Sequence, residues 1–410
     1  MIKYSKIILE NGLVVINHHD ALSKISMFNL MYNAGSKHEY SDKTGVAHFL
    51  EHMMFEGTSK NKSFDKVLAS SGGDSNAFTS PDVTNYYQSL PSTCLETAFA
   101  LESDRMFSLS LDEESFSIQK KVVIEEFKQR YLTQPYGDVW HVLRDFCYSN
   151  SSYKWPTIGR SVSEIGLLCS YDLRDFYNQY YVPNNAHLVV GGCHSDNEVF
   201  DLANRYFSPL KGRNVPSLNF REPTWEGRSL LEVEREVPQD MIYIAFQAQS
   251  RCKDDFIPTS VMVDMLGHGK SSFLYKEAVL KKKVLNSVSM YHTTAFEDSL
   301  IVLSGRLSKG VCFSDAENEL IAILNLFGDQ DTLEHELLKV KNQEVSSHAF
   351  EMVELQSRVL SLAYSSVFGN VEEVNIEQEK IEKVIISDVI SAHQEYINTK
   401  NYKVIYYKAV

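Results

Sequence analysis

The chain has 410 residues, of which 43% are hydrophobic and 23% charged, and its formal net charge at pH 7 is −14. A soluble chain of this length is too long for one ordinary domain, so we expect two. The acidic balance argues against nucleic acid as a partner, because no excess of Lys and Arg is present to neutralise phosphates.

The N-terminal sequence and the cysteines bear on the compartment. The first residues lack the apolar stretch and cleavage site of a secretory signal, and no stretch reaches the roughly 18 apolar residues of a membrane span. The six cysteines form no CxxC pair, a pattern typical of free thiols in a reducing compartment. We therefore expect a cytoplasmic protein with no membrane partner.

Strand-like and helix-like stretches alternate along the first half of the chain. A turn at Asn11-Gly12 is expected to join two short N-terminal strands. The predicted strands cover 5–9, 13–17, 26–32, 85–90 and 186–191, and the predicted helices cover 44–55, 64–71, 95–108, 112–132 and 197–206.

A change of composition separates the two halves. The stretch 208–225 has three prolines and no apolar periodicity, which indicates an interdomain linker. After it, strands are predicted at 241–247, 299–306 and 402–407, and helices at 258–266, 272–281, 313–326 and 331–349. The similar order of elements in both halves hints at an internal duplication. We expect an α+β fold of two similar tandem α/β domains, each a mostly antiparallel mixed sheet packed with helices, at 1–209 and 225–410 with a linker at 210–224.

The segment Thr44-Gly-Val-Ala-His-Phe-Leu-Glu-His carries the clearest chemistry. His48 and His52 are four residues apart, so on a helix both imidazoles stand on one face and can reach one Zn²⁺. Glu51 lies on the same side of the helix and can take a proton from a zinc-bound water, whose pKa the metal lowers to roughly 7. Two core histidines that are paired by chance are the alternative explanation.

A catalytic zinc has three protein ligands and an open position for water, so a third ligand must come from elsewhere. The predicted helix 112–132 contains Glu125 and Glu126, which are rotated by about 100° from each other, so only one of them can point at the metal. Either could also be an ordinary solvated carboxylate. Spacing alone does not choose between them.

These motifs resemble the M16 family of inverzincin metallopeptidases, especially its short bacterial members, which are similar to the catalytic subunit of the mitochondrial processing peptidase. The resemblance implies one Zn²⁺ per chain, with His48, His52 and Glu126 as ligands and Glu51 as the base. The matching segments cover nearly all of the first half: HFLEHMMFEGT at 48–58, the N-A-x-T segment at 76–79, VVIEEF at 122–127, PTIGR at 156–160 and YYVPNNAHLVVGG at 180–192.

One position departs from the family pattern. Gln119 lies seven residues before Glu126, where the family usually has an acidic residue that supports the zinc site. An amide can still form hydrogen bonds to a ligand or water but brings no charge. Lower activity is therefore a possible consequence, whereas loss of the metal is not expected.

The segment 76–79 also receives its role from the resemblance. On sequence alone it is an ordinary turn built on Gly72-Gly73 before a strand. The resemblance implies instead an edge strand that pairs with the substrate backbone, a mode that accepts any extended peptide. The expected substrate-binding residues here are Asn76, Ala77, Phe78 and Thr79.

In the second half, the resemblance places Lys282 and Asn286 where active family members have an Arg and a Tyr that bind the substrate carbonyl. Lys supplies charge without a forked donor, and Asn is shorter than Tyr. The resemblance also implies that such chains pair into a clamshell, each chain forming half of it, with the second domain contributing to the substrate chamber and the dimer. A homodimer and a heterodimer with a related chain are both open.

The sequence thus predicts a zinc-dependent endopeptidase that hydrolyses peptides or unfolded segments, with Glu51 activating the zinc-bound water. The chain would be the metal-bearing subunit of a dimer. The alternative is a catalytically weak or inactive scaffold subunit of an M16-type complex.

Overall fold

The computed structural model describes residues 1–61, 63–218, 222, 224–329 and 333–410. Within these ranges no helix combines the length and the apolar character that a bilayer crossing requires. The strands are β1 (Ser5–Ile8), β2 (Val14–His19), β3 (Ile25–Tyr32), β4 (Asp74–Thr79), β5 (Thr84–Pro91), β6 (Ala186–Gly192), β7 (Arg228–Arg235), β8 (Met241–Ala248), β9 (Leu285–His292), β10 (Ser299–Leu307) and β11 (Tyr402–Ala409).

Helices cover much of the chain between these strands. They are α1 (Val46–Met53), α2 (Phe64–Ser70), α3 (Leu95–Ser108), α4 (Glu113–Phe127), α5 (Val139–Cys147), α6 (Val162–Leu167), α7 (Ser170–Tyr180), α8 (Asp196–Phe207), α9 (Phe256–Gly267), α10 (Phe313–Asn325), α11 (Leu333–Glu351), α12 (Leu355–Val367), α13 (Glu373–Lys383) and α14 (Ile386–Tyr396).

The first sheet is mixed and has the strand order β1-β2-β6-β3-β5-β4. Only the β2–β6 pair is parallel, and the other neighbours are antiparallel. Alternate residues of β3, including Phe28 and Leu30, are buried in one apolar core with the helix residues Phe49 and Phe99. The period-2 pattern of a strand thus places one face of the sheet against helices, and β4 is left at the sheet edge.

The second sheet repeats this arrangement with the order β7-β11-β8-β10-β9. β7 and β11 are parallel, and the remaining neighbours are antiparallel, as in the order β2-β6-β3-β5-β4 of the first sheet. The helix α9 follows β8 as α1 follows β3, but its sequence contains no histidine. The shared topology agrees with the duplication that the sequence hinted at.

The compact units do not follow the contiguous ranges expected from the sequence. One unit consists of 1–133, 155–219 and 349–375, and the other of 134–154, 220–348 and 376–410. In the second unit, Leu143 of α5 belongs to the same buried apolar cluster as Val302 and Tyr407. In the first unit, α12 lies so close to β6 that a Cβ on Gly191 would be 2.4 Å from Val359 Cγ2. Long-range packing of this kind leaves no composition signal at the segment boundaries.

Three local predictions need correction. The predicted helix 112–132 is α-helical only to Phe127 and ends in a π-helical turn at Lys128–Leu132, and Tyr275–Lys281 is also π-helical. The turn suggested for 76–79 by Gly72-Gly73 is a strand, β4, because its main chain pairs with β5. Residues 331–332 of a predicted helix, and 219–221 and 223 of the predicted linker, lie outside the described residues.

Candidate metal centre

The helix α1 begins directly after a tight turn at Gly45. Gly45 has a φ of 90°, and a Cβ there would be 2.5 Å from the main-chain oxygen of Ile158, so the turn requires glycine. The buried Glu39 carboxylate accepts hydrogen bonds from the N–H groups of Gly45 (2.9 Å) and Ala47 (2.8 Å). Burial raises the pKa of Glu39 to about 8, although these two donors favour the ionised form. Glu39 therefore anchors the start of the helix that carries the histidines.

The remaining residues of α1 divide between the core and the site. Phe49, Leu50 and Met53 are completely buried and hold the helix against the first core. His48 and His52 lie on the opposite face with their ring centroids 4.8 Å apart and their planes at 69°. The i, i+4 spacing thus brings two imidazoles to one point because an apolar face fixes the rotation of the helix.

The third side chain comes from α4, which Phe116, Val123 and Phe127 bury against the same core. Glu126 Oε2 lies 3.4 Å from His52 Nε2 and 3.8 Å from His48 Nε2. Glu125, by contrast, is 60% exposed and pairs with Lys128. The rotation of α4 thus brings Glu126, and not Glu125, to the histidines.

The three residues fit a divalent metal ion. Within the described part of the chain, His48, His52 and Glu126 are the one group of potential ligands that meets, with ligand atoms all within 4.8 Å of one another. Ligand atoms about 2.1 Å from a tetrahedral ion are about 3.4 Å apart, so small side-chain adjustments suffice. Two imidazoles and one carboxylate are the donor set of a catalytic zinc.

The electrostatics of His48 and Glu126 suit metal binding, whereas those of His52 reflect its contact with Glu126. Burial, reinforced by the neighbouring His52, lowers the pKa of His48 to about 4, so its ring is neutral at pH 7. Burial alone would raise the pKa of Glu126, but the hydrogen bond with His52 and the charges around it lower the pKa on balance. Burial alone would lower the pKa of His52, but Glu126 raises it on balance. A neutral ring and an ionised carboxylate are the forms that bind metal ions.

Glu51 lies beside these ligands without joining the group. Its carboxylate accepts a hydrogen bond from the Thr79 hydroxyl of β4. Burial raises the pKa of Glu51, and the Thr79 hydroxyl acts against this rise. Glu51 is therefore a partly desolvated carboxylate next to the edge strand, which is the environment of a general base.

Gln119 lies two helical turns before Glu126 on the same face of α4. Its carbonyl oxygen lies 3.4 Å from His52 Nδ1, and its amide nitrogen donates to Glu56 Oε1 at 2.5 Å. On the other side of the site, Arg130 Nη1 lies 2.9 Å from Glu126 Oε1. Both ligand side chains thus have a polar partner besides the prospective metal.

The residues expected to bind substrate lie in both units. Asn76, Ala77, Phe78 and Thr79 are in the edge strand β4, where Asn76 is exposed and Phe78 stacks on Tyr364 of α12 with centroids 6.2 Å apart. In the second unit, Lys282 pairs with Glu319 at 3.0 Å.

The side chain of Asn286, in β9, donates to the Leu307 carbonyl at 3.1 Å. Lys282 and Asn286 thus each have a partner within their own unit.

Several contacts of this site were not predicted from the sequence. Arg130 is four residues after Glu126, so the helical i, i+4 rule could have revealed their pair. Glu56 lies four residues after His52 but gives no spacing signal toward Gln119. Glu39 and the contact between Thr79 and Glu51 depend on chain segments that meet only in the fold.

Comparison with known proteins identifies the family. The family profile described as Insulinase (Peptidase family M16) matches residues 14–143, which contain the whole candidate site. The profile described as Peptidase M16 inactive domain matches residues 170–344. The chain belongs to the M16 peptidase family.

The M16 chain has similar relatives in bacteria and plants. It is 26% identical to the zinc protease PqqE of Helicobacter pylori, over 99% of its own length and 93% of that protein. It is 23% identical to the probable mitochondrial-processing peptidase subunit beta of Arabidopsis thaliana, over 63% of its length and 49% of that protein. The crystal structure of a protease from Helicobacter pylori matches it with a TM-score of 0.93 at 25% identity, over 100% of both chains.

These findings confirm the family and the fold of two tandem α/β domains predicted from the sequence. Homologues named zinc proteases also support a peptidase role for the M16 chain and zinc as its metal. Endopeptidase specificity, assembly into a dimer and the cytoplasmic location stay predictions.

Proposed function

We propose that this M16 chain is a zinc-dependent endopeptidase with one Zn²⁺ held by His48, His52 and Glu126. The observation that carries the proposal is the meeting of these three ligands beside Glu51 at the edge of a sheet. Zinc, when bound, supplies a Lewis acid that polarises the scissile carbonyl and acidifies water.

Glu51 acts as the general base. Its carboxylate takes a proton from the attacking water and returns it to the leaving amine when the peptide bond breaks. The Thr79 hydroxyl holds this carboxylate, so the base has a defined orientation relative to β4. Because Glu51 precedes His52 directly on α1, base and ligand are positioned by the same short helix.

The substrate is an extended peptide that adds to β4. An edge strand offers main-chain N–H and C=O groups that pair with any backbone, so the sequence of the peptide matters less than its extended form. A folded protein presents few such segments, so short peptides and unfolded segments are the expected substrates. Asn76 to Thr79 supply the contacts nearest to Glu51.

The proposed active form is a dimer, either of this chain or with a related chain. Lys282 and Asn286 differ from the Arg and Tyr of the family pattern, and their side chains are engaged by Glu319 and by the Leu307 carbonyl. A related chain that supplies Arg and Tyr would complete the site. Under this proposal the pure chain binds zinc but cleaves peptides poorly, and full activity of a pure homodimer would exclude the heterodimer.

The decisive experiment is Glu51→Gln. The variant should keep its zinc, measured by atomic spectroscopy, because Glu51 is not a ligand. Its turnover of a fluorogenic peptide should fall by about 10²–10⁴-fold, the range of general-base contributions. Glu125→Gln is the matched control, since Glu125 is exposed and paired with Lys128, and it should retain activity.

Retained turnover in a zinc-replete Glu51→Gln protein would refute the role of Glu51. Zinc binding by the wild type without turnover, alone and with candidate partners, would instead favour the scaffold subunit. The absence of a carboxylate at Gln119 is the observation that favours that second function.

A further inference from the structure

Gln119 bridges two groups of opposite hydrogen-bonding character. Its carbonyl oxygen faces Nδ1 of His52 at 3.4 Å, and its amide nitrogen donates to Glu56 Oε1 at 2.5 Å. All three side chains are partly buried, and Glu56 lies three residues beyond the end of α1, whereas Gln119 is in α4. The bridge therefore joins two separate elements beside a prospective metal ligand.

The chemistry of the carboxylate sets the direction of every hydrogen bond in this bridge. An ionised carboxylate only accepts, so the NH₂ group of Gln119 must face Glu56. The carbonyl oxygen of Gln119 then faces His52, and a carbonyl also only accepts. His52 therefore donates its Nδ1 proton to this carbonyl, so Nε2 is the nitrogen that remains for a metal ion. Nε2 is the atom that lies 3.4 Å from Glu126.

We propose that Gln119 and Glu56 are positioning residues for His52, and that Glu56 supplies through the amide the negative charge that Gln119 lacks. The inference rests on the proposed zinc site and deepens it. A metal-binding histidine usually donates its second ring N–H to a carboxylate or carbonyl, which fixes the tautomer and raises ligand basicity. In this chain the two functions are divided between the amide of Gln119 and the carboxylate of Glu56, which lies three residues beyond the end of α1.

The other histidine provides a contrast. Nδ1 of His48 is buried and has no hydrogen-bond partner among the described residues. The orientation of His48 therefore depends on packing, whereas the orientation of His52 depends on the bridge. Removal of the bridge should weaken the zinc site through His52 alone.

Zinc affinity of the purified chain, measured by competition with a chelator, tests this inference. Glu56→Gln removes the negative charge, so residue 56 no longer fixes the orientation of the Gln119 amide. Gln119→Leu removes both hydrogen bonds of the bridge with little change in side-chain size. Each should raise the Kd for zinc about tenfold, the lower end of the effect of such outer partners. The double variant should be no weaker than Gln119→Leu, because Glu56 acts only through Gln119.

A charge swap and a control complete the design. Glu56→Gln combined with Gln119→Glu places the carboxylate directly on His52, and the Kd should return to within about threefold of the wild-type value. Glu125→Gln removes a charge next to Glu126 without touching the bridge, so the Kd should stay within about twofold. Nitrogen-15 spectra of the zinc-loaded wild type should show the His52 proton on Nδ1.

Distinct results overturn the bridge and the proposed function. If the wild type binds zinc but Glu56→Gln keeps the same Kd, the bridge is refuted and the zinc site stands. The bridge is also refuted if the increases in Kd caused by Glu56→Gln and Gln119→Leu multiply in the double variant. The same holds if the charge swap does not restore the Kd, or if His52 carries its proton on Nε2. A wild-type chain that binds no zinc would overturn both.

Discussion

The hydrogen bond between Thr79 and Glu51 leads to a specific prediction about pH dependence. Thr79→Val removes the hydroxyl and keeps a β-branched side chain of similar shape on β4, so the strand should be preserved. The hydroxyl hydrogen bond is stronger to the carboxylate form, which acts as the base, than to the neutral acid. Its loss therefore disfavours the ionised form, and the pKa of Glu51 should rise further above its usual range.

The size of this rise follows from the contact. A hydrogen bond to a charged group contributes about 1.5–3 kcal/mol, and one pKa unit corresponds to about 1.4 kcal/mol. Glu51 is only partly buried, and water can replace part of the lost interaction, so we expect about one unit. Because the ionised form is active, activity is lost as pH falls through this pKa.

The assay is the pH profile of kcat/KM on a fluorogenic peptide, whose acid limb reports the free enzyme. In Thr79→Val the acid limb should move up by about one pH unit, while the plateau at higher pH changes little. Thr79→Ser keeps the hydroxyl and should follow the wild type. Superimposable profiles of Thr79→Val and wild type, or an equal shift in Thr79→Ser, would refute the reasoning.

Two further predictions concern ligand choice and stability. Glu126→Gln should abolish stoichiometric zinc binding in a metal analysis, because an amide brings no charge to the ion. Glu125→Gln should retain its zinc, and equal zinc contents of the two variants would contradict the assignment. Glu102→Gln should lower the free energy of unfolding by about 3–5 kcal/mol, since the Arg105 side chain is 2% exposed and forms its ion pair with Glu102. The matched control is the exposed Glu96, which pairs with Arg205. Glu96→Gln should lower the free energy of unfolding, measured by urea denaturation, by at most about 1 kcal/mol. A similar loss of stability in both variants would argue against the buried pair.

The sequence by itself determined the helix near the site and the two histidines that this helix brings together. The i, i+4 spacing of His48 and His52 specifies a shared helix face, and the apolar residues between them specify which face is buried. Strands such as β3 and β5 were predicted from local apolar patterns, and α1 was predicted from its helical spacing, because burial imposes its period directly on the sequence.

Only the tertiary structure decided the contacts that join distant segments. Spacing alone does not choose between Glu125 and Glu126, and the packing of α4 against the core decides which of them faces the histidines. The strand β4 is stabilised by pairing with β5 and not by its own residues, so Gly72-Gly73 wrongly suggested that residues 76–79 belong to a turn. The bridge from His52 through Gln119 to Glu56 arises because α1 and α4 approach each other in space. Such approach depends on the packing of the whole unit, which no local stretch of sequence encodes.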